Sequence, residues 1–389
     1  MDREKMAMSP SGRVISSGEG ISRYYAFLPN PLPPKFQMSM GLTRALSQAD
    51  YALGQLAMLG RVLPNASLLI RPFMRKEAVL SSRIEGTQAD LKDVMLLEAE
   101  QLSLLGPEIR KRNTDAQEVL NYVQALEWAL AELDTFPLSL RLIRGAHERL
   151  VCGVRGAYAS PGEFRNTQNW IGPASCTLNE ATYVPPPPYE MNEALAQVEH
   201  YMREGNAYPP LIRLGLIHYQ FEAVHPFIDG NGRIGRLLMT LLLCYWDLLP
   251  QPLLYLSAYF ERHRDEYYAR LLAVSERGEW EEWLTFFLKA VAEQATDATR
   301  RAQQILDLKR TLKEQVAHAT QSALILRLVD ELFSTPVVTI QQSSRVLDAN
   351  YQAVRRAIYI LVEMGVLQEA AWPKRPKVFF AEQILSLLD

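Results

Sequence analysis

Cysteine is scarce in this chain of 389 residues. Cys152, Cys176 and Cys244 are odd in number, widely scattered and form no CxxC pair. That excludes a disulfide framework and a cysteine-rich zinc site, and it fits a reducing compartment. An excess of one charge is missing too, since 41 Lys and Arg face 44 Asp and Glu, for a formal net charge of −3. A surface built throughout to coat nucleic acid or anionic membrane is excluded, whereas a local patch is not. The most apolar run, Leu237 to Tyr245, is cut by Trp246-Asp247 and then Pro250. A span needs roughly 20 apolar residues. The N-terminus, MDREKMAMSPSGR, is polar and precedes no signal-type apolar stretch. The expectation is a soluble, cytoplasmic protein with no membrane association. No GK(S/T) tripeptide occurs, which excludes a Walker-type phosphate loop.

What the chain has is helical periodicity. At 48% hydrophobic and 22% charged residues, it has the composition of an ordinary globular protein, and its length suits two or three domains. Residues 1–35 read as an irregular arm closing on Pro29, Pro31, Pro33 and Pro34. Apolar positions at helical spacing follow over 42–64, 66–85, 88–105, 114–133 and about 138–152. The stretch 164–188 mixes Asn, Thr, Trp, Ile, Gly and Tyr and ends in four prolines, which suits a short hairpin. Helices are expected again at 190–204, 208–223, 233–247, 257–273 and 279–293. A polar segment, 294–319, carries a thin stripe (Ile305, Leu308, Leu312, Val316) and reads as a connecting helix. From 320 the order is helix, helix at Thr339 as N-cap, helix over 351–364 and a hairpin-like tail, the layout of a winged helix. The expected fold is mainly α. Its parts are an N-terminal helical region (1–110), a core (111–293), the connecting helix and a winged module (320–389).

The informative string runs His225-Pro-Phe-Ile-Asp-Gly-Asn-Gly-Arg-Ile-Gly-Arg236. Pro226 ends the preceding helix, so His225 sits at a helix-to-loop boundary and supplies a base of near-neutral pKa. Gly230, Asn231 and Gly232 form a tight turn into a helix starting near Arg233, where backbone N–H groups converge as an anion nest. Arg233 and Arg236 in the first turn oppose the helix dipole unless an anion is also present, and a polyphosphate would supply it. Asp229 at the mouth of the nest is a hard oxygen ligand suited to Mg²⁺ bridging phosphates.

This string resembles the signature of the Fic family, HPFx(D/E)GNGRxxR, at every position. Ser81-Ser-Arg-Ile-Glu85-Gly86 is similar to the family's inhibitory-helix pattern (S/T)xxxE(G/N), placed before the core. Gly162-Glu-Phe-Arg165, Trp170-Ile-Gly172 and Tyr183-Val-Pro-Pro186 resemble the flap that clamps a target polypeptide. The resemblance covers about 70–290 and implies a Fic-type helical bundle with a β-hairpin flap. It also implies Mg²⁺-dependent transfer of AMP from ATP to a Ser, Thr or Tyr hydroxyl of a protein, self-modification included. His225 would be the base and Asp229 the Mg²⁺ ligand. Gly230 to Arg236, with Ile234 and Gly235 among them, would hold the nucleotide. Tyr267-Tyr268 would touch the adenosine, and Trp170, Ile171, Gly172 and Tyr183 would meet the target. Glu85 lies where Gly86 suggests a helix C-terminus, so a carboxylate there gains nothing locally. Its implied partner is Arg236, with Ser81 on the same helical face.

Two further readings stand beside this one. His218 and Glu222, at i and i+4, could join His225 and Asp229 in a metal hydrolase, but the spacing alone is weak, and His218 and His147 read as core residues. The winged module carries seven basic and seven acidic side chains over 320–389. Arg355 and Arg356 on its third helix, with Lys374, Arg375 and Lys377 in the wing, leave open a transcription regulator that senses nucleotide and binds DNA. A protein-binding or dimer-building role fits the zero net charge better.

Overall fold

The first thirty residues depart from the expected irregular arm. A computed structural model describes residues 1–389 except 21–22, 63–66, 103–113, 155–159, 174, 371–376 and 389; the wing residues Lys374 and Arg375 therefore lie outside the described residues. A short helix, α1 (Arg3–Ala7), leads into the antiparallel pair β1 (Gly12–Ser17) and β2 (Tyr24–Pro29), in register from Gly12 opposite Pro29 to Ser17 opposite Tyr24. Val14, Ile15, Tyr24, Tyr25 and Phe27 are the branched and aromatic types that strands favour. The run is six residues long and flanked by Gly and Pro, too short for its alternation to stand out.

The helical body follows as α2 (Met40–Val62), α3 (Ser67–Ile84), α4 (Leu91–Leu102), α5 (Thr114–Leu133) and α6 (Leu140–Leu150). It continues as α7 (Pro188–Glu204), α8 (Pro210–Val224), α9 (Asn231–Tyr245), α10 (Ser257–Arg262), α11 (Arg264–Arg277) and α12 (Trp280–Ala319). Proline opens α7 and α8, where its missing N–H costs nothing. Twelve of the fifteen residues of α8, and twelve of fifteen in α9, are buried. Helices apolar all round belong in the centre, and the loop between these two carries His225 to Gly230.

Two expected boundaries move. The segment at 294–319 is no separate connector: α12 runs unbroken over 40 residues, about 60 Å. It contains neither Gly nor Pro, and Ala298, Ala302, Ile305, Leu312 and Val316 extend its buried stripe. Conversely, the single helix expected at 257–273 is interrupted at His263. The hairpin expected at 164–188 is an open excursion held by one antiparallel bridge, Ile171 to Tyr183, with a 3-10 turn at Leu178–Glu180. Its prolines have no N–H to extend a ladder.

The C-terminal segment comprises α13 (Ala323–Ser334), β3 (Val337–Thr339), α14 (Ile340–Val346), α15 (Tyr351–Glu363), β4 (Gln368–Glu369), β5 (Val378–Phe380) and α16 (Glu382–Leu388). The strands form one antiparallel sheet in the order β3-β5-β4, and Thr339 caps α14 by accepting from the Gln342 N–H at 3.2 Å. Its core residues, Leu328, Val354 and Leu361 among them, join the same continuous cluster as Leu120 and Leu241 of the body. The helix α16 was not expected from the sequence. Among the described residues, no helix is long and apolar enough to cross a membrane.

Trp283 of α12 is fully buried and donates from its indole N–H to the Gly215 carbonyl of α8 at 3.0 Å. Trp283→Ala is expected to lower unfolding free energy by about 3–5 kcal/mol. An unchanged chemical-denaturation midpoint would show that α8 does not depend on this wall.

Candidate functional site

His225 closes α8 in the left-handed region (φ 48°, ψ 63°), a conformation that a non-glycine residue adopts only when its surroundings hold it there. Its Nδ1 lies 3.3 Å from the Glu222 carbonyl. A carbonyl can only accept, so Nδ1 carries the proton and Nε2 presents its lone pair. Burial pushes the ring down to about 4, leaving it neutral at pH 7.

The loop that follows is fastened from four sides. Asn231 clamps the Phe227 backbone, accepting from its N–H and donating to its carbonyl, both at 2.8 Å. His147 stacks on the Phe227 ring at 3.8 Å, accepts from the Gly162 N–H at 3.1 Å and lies 3.0 Å from the Asp229 carbonyl, to which Nε2 donates. Burial lowers this ring to about 4 as well. Arg165, 3% exposed, donates to the carbonyls of His225, Thr167, Pro186 and Val224. Asn169 donates to those of His225 and Phe227. Nothing in the local sequence assigns Arg165 or Asn169 a role of its own. Arg165 ends one flap-like string and Asn169 immediately precedes the next, and most of the carbonyls they serve are about 60 residues away.

Helix α9 starts at Asn231, two residues earlier than expected, and its first internal bond is from the Ile234 N–H to the Gly230 carbonyl at 3.0 Å. The N–H groups of Asn231, Gly232 and Arg233 therefore lie at the helix mouth without an intrahelical partner. Gly230 enters at φ 80°. At Gly232 a Cβ would collide with the Glu85 carboxylate, with Arg236 Nη1 at 3.0 Å. The Glu85 carboxylate thus stands against the start of α9, where helices bind anions.

Arg236 is 1% exposed. Its Nε donates to Ser81 Oγ at 2.9 Å, and Nη2 donates to the Ser81 carbonyl at 3.0 Å and to Glu85 Oε1 at 2.6 Å. Its Nη1 is buried without a hydrogen-bond partner among the described residues. Glu85 follows the last residue of α3, and Gly86 takes φ 96°, as a helix C-terminus requires. Burial disfavours the Glu85 charge, yet Arg236, with Arg233 and His225, holds the carboxyl below its ordinary range. Arg233 is buried, 3.4 Å from Glu118 and 3.6 Å from Asp229. Asp229 accepts from the Gly230 N–H at 2.7 Å and keeps its carboxylate 38% exposed at the mouth. A single open hard carboxylate beside anion-binding N–H groups suits Mg²⁺, which is commonly held by one or two carboxylates plus substrate phosphates. Burial raises Glu222 to about 7, and its Oε1 has no hydrogen-bond partner among the described residues.

Several expected site residues face elsewhere. The Asn231 side chain is committed to Phe227. Ile234 is 1% exposed, and Gly235 packs so closely on Glu222 of α8 that a Cβ would not fit. Tyr267 is fully buried, stacked on Phe260 at 4.6 Å, with its hydroxyl 2.8 Å from His218 Nε2. It belongs to the core, whereas Tyr268 is 40% exposed. His218 sits among Phe260, Tyr267 and Trp283, and burial lowers it to about 3. On the flap, Trp170 and Ile171 are exposed, and Gly172 turns tightly against Cys176. Tyr183 is turned inward and donates to the Ala223 carbonyl at 2.9 Å, anchoring the flap to α8.

A family model described as Fic/DOC family N-terminal matches residues 43–131, and one described as Fic/DOC family matches 137–243; together they take in half of the chain. The chain is 31% identical over 163 residues to a protein adenylyltransferase Fic of Drosophila grimshawi, a match covering 41% of this chain and 31% of that relative. The chain thus spans about a third of the length of such relatives. A solved Fic family protein from Desulfovibrio desulfuricans G20 superposes with TM-score 0.56 at 20% identity, covering 90% of this chain and 98% of the other. A Fic-1 fragment from C. elegans does so with TM-score 0.51 at 21% identity, covering 69% and 74%. At these identities the likeness is one of fold.

Imidazole nitrogen resonances test the electrostatics of the loop. Burial depresses His147, His218 and His225 alike, so each binds a proton more readily in the unfolded chain. Their contribution to stability is complete above pH 6.5 and is lost as pH falls toward 4 for His147 and His225 and toward 3 for His218; Glu222, raised to about 7, opposes this between 4.5 and 7. The three rings are expected to be neutral at pH 5.5. A protonated His225 at that pH would contradict its burial.

Proposed function

The chain belongs to the Fic/DOC family, and from that premise we propose that it transfers AMP from ATP to a serine, threonine or tyrosine hydroxyl of a target protein, releasing pyrophosphate. The observation that carries this reading is the juxtaposition of a neutral His225 Nε2 lone pair with the start of α9 and its two buried arginines. The incoming hydroxyl oxygen bonds to the α-phosphorus as the bond to the β-phosphate oxygen breaks. The hydroxyl proton goes to His225 Nε2, and the electron pair leaves with pyrophosphate. A ring neutral at working pH is ready to take that proton. The N–H groups of Asn231, Gly232 and Arg233 and the guanidinium of Arg236 hold phosphate oxygens, so positioning and charge stabilisation supply most of the catalysis. Asp229 would hold Mg²⁺, which when bound neutralises charge on the departing pyrophosphate.

Trp170 and Ile171, exposed on the flap, are the side chains offered to the target, while Arg165, Asn169 and Tyr183 keep the flap against the catalytic loop. The three scattered thiols, free of disulfides, support a cytoplasmic setting. We read the C-terminal segment as a winged helix on the order of its helices and its three-stranded sheet, with binding of protein or a second copy of this chain as its role.

Autoinhibition by Glu85 is part of the same proposal. The carboxylate takes the Arg236 fork and covers Gly232, so a triphosphate entering beside it sits with its α-phosphorus out of line. A misplacement of about 1 Å can cost roughly 100-fold in rate. Glu85→Gly is expected to raise incorporation of labelled AMP into protein by about that factor at equal ATP. Equal rates for the variant and the parent would make Glu85 an ordinary helix-end carboxylate.

The base assignment has its own test. His225→Ala is expected to reduce transfer by about 100- to 10,000-fold while calorimetric ATP affinity stays near that of the parent, because the phosphate-binding groups lie on α9. Transfer at the parent rate would refute His225 as the base.

A further inference from the structure

Helix α3 presents Ser81 and Glu85 at one end, and its middle holds two charged side chains that the mechanism leaves unused. Glu77, 2% exposed, faces the helical body. It accepts from the Ser257 hydroxyl at 2.5 Å, the Ser257 N–H at 3.2 Å and the Tyr122 hydroxyl at 3.4 Å. Arg75, two residues earlier and so on another face of the helix, is 6% exposed. Its Nε donates to Glu98 of α4 at 2.8 Å, and its Nη1 donates to the Ser334 carbonyl at 3.1 Å.

Ser334 is the last residue of α13. The closing carbonyls of a helix have no N–H to receive from within it, and a cation there complements the dipole. The helix that presents Glu85 therefore caps a helix of the C-terminal module, 259 residues further along the chain. The same seam is closed by α16 lying on α3, β3 on α4, Lys92 paired with Glu382 at 3.3 Å and Arg301 donating to the Leu387 carbonyl at 2.7 Å.

We propose that Arg75 is a positioning residue for Glu85: by joining α3 to the C-terminal module at Ser334, it sets how firmly Glu85 is held on Arg236. The inference rests on the inhibitory reading of Glu85 given above. Ten residues of helix, about 15 Å, separate Arg75 from Glu85. Pro72 inside α3 removes an N–H on the far side of Arg75. The stretch from Arg75 to Ile84 contains no such break, so a shift at the module seam reaches Glu85 through a stiff segment. The C-terminal module thereby acts on the phosphate site without touching it, and a partner that draws the module off α3 would loosen the carboxylate.

Labelled-AMP incorporation by the full chain at equal ATP tests this with Arg75→Ala, Glu85→Gly and the double variant. Arg75→Ala is expected to raise incorporation roughly tenfold, the change in an opening equilibrium that the loss of one such hydrogen bond produces. The double variant is expected not to exceed Glu85→Gly, because no inhibitory contact remains to loosen. A residue that merely supports folding would lower incorporation when removed, and would do so in both backgrounds. Arg75→Ala at or below the parent rate, while Glu85→Gly is raised, overturns the inference and leaves the inhibitory reading intact. A tenfold rise that persists in the Glu85→Gly background also overturns it, since Arg75 would then act elsewhere. Glu85→Gly at the parent rate removes the inhibitory reading and the inference with it. Where the alanine variant does not fold, Arg75→Lys takes its place. It keeps a charge beside Glu98 but lacks the fork that reaches Glu98 and Ser334 together, so the same rise is expected and a parent-like rate counts against the proposal.

Discussion

A guanidinium with almost no exposed surface must find acceptors, and Arg236 finds them all on one helix. Ser81 offers its hydroxyl and its backbone carbonyl, and Glu85 offers a carboxylate. Leaving such a charge unpaired in the interior would cost several kcal/mol, so α3 is pinned to α9 by charge satisfaction as well as by apolar packing. The remaining Nη1, which has no acceptor among the described residues, and the opening N–H groups of α9, which have no intrahelical partner, lie at the same place. A carboxylate and a phosphate oxygen are chemically similar to these donors. The Glu85 contact and the proposed nucleotide site would for that reason share one set of donors.

The second constraint is the neutrality of the catalytic loop. His147 and His225 lie beside and in it, His218 lies in the aromatic core behind, and burial keeps all three uncharged near neutral pH. Two act through fixed tautomers. His147 accepts at Nδ1 and donates at Nε2, holding the Asp229 carbonyl, whereas His225 donates at Nδ1 and leaves Nε2 free. Identical rings are thus divided between support and chemistry by the single question of which nitrogen meets a carbonyl. Arg165 completes the frame from the flap side, so the segment that would meet a target and the residue that would accept its proton are fastened by the same side chain.

The third element is the position of α3 between the two halves of the molecule. Glu77 fastens it inward to α5 and α10, and Arg75 fastens it outward to the C-terminal module. A module attached only by a linker could not influence Glu85. This one shares a continuous core with the body and borrows a helix cap from α3, so its seating and that of Glu85 are mechanically joined.

Whatever depends on near neighbours was legible along the chain. Helical periodicity located the body, and Pro226, Gly230 and Gly232 marked the turn between its two central helices. The spacing from His225 to Arg236 placed an imidazole, a carboxylate and two arginines within one loop and one helix start. Gly86 likewise marked the end of α3 and left Glu85 in need of a distant cation. Tertiary structure decided everything that depends on which faces meet. Tyr267 and Tyr268 are adjacent and chemically identical, yet successive residues point about 100° apart on a helix, and only the wall of Phe260 and Trp283 turns the first inward. The side chains of Tyr183 and Asn231 and the close face of Gly235 serve the scaffold, while the Asn231 backbone N–H stays at the opening of α9. The N-terminal strands, the unbroken α12 and the bond from Arg75 to Ser334 left almost no local trace. Their energy comes from contacts with residues distant in sequence, and a chain carries no record of those partners until packing brings them together.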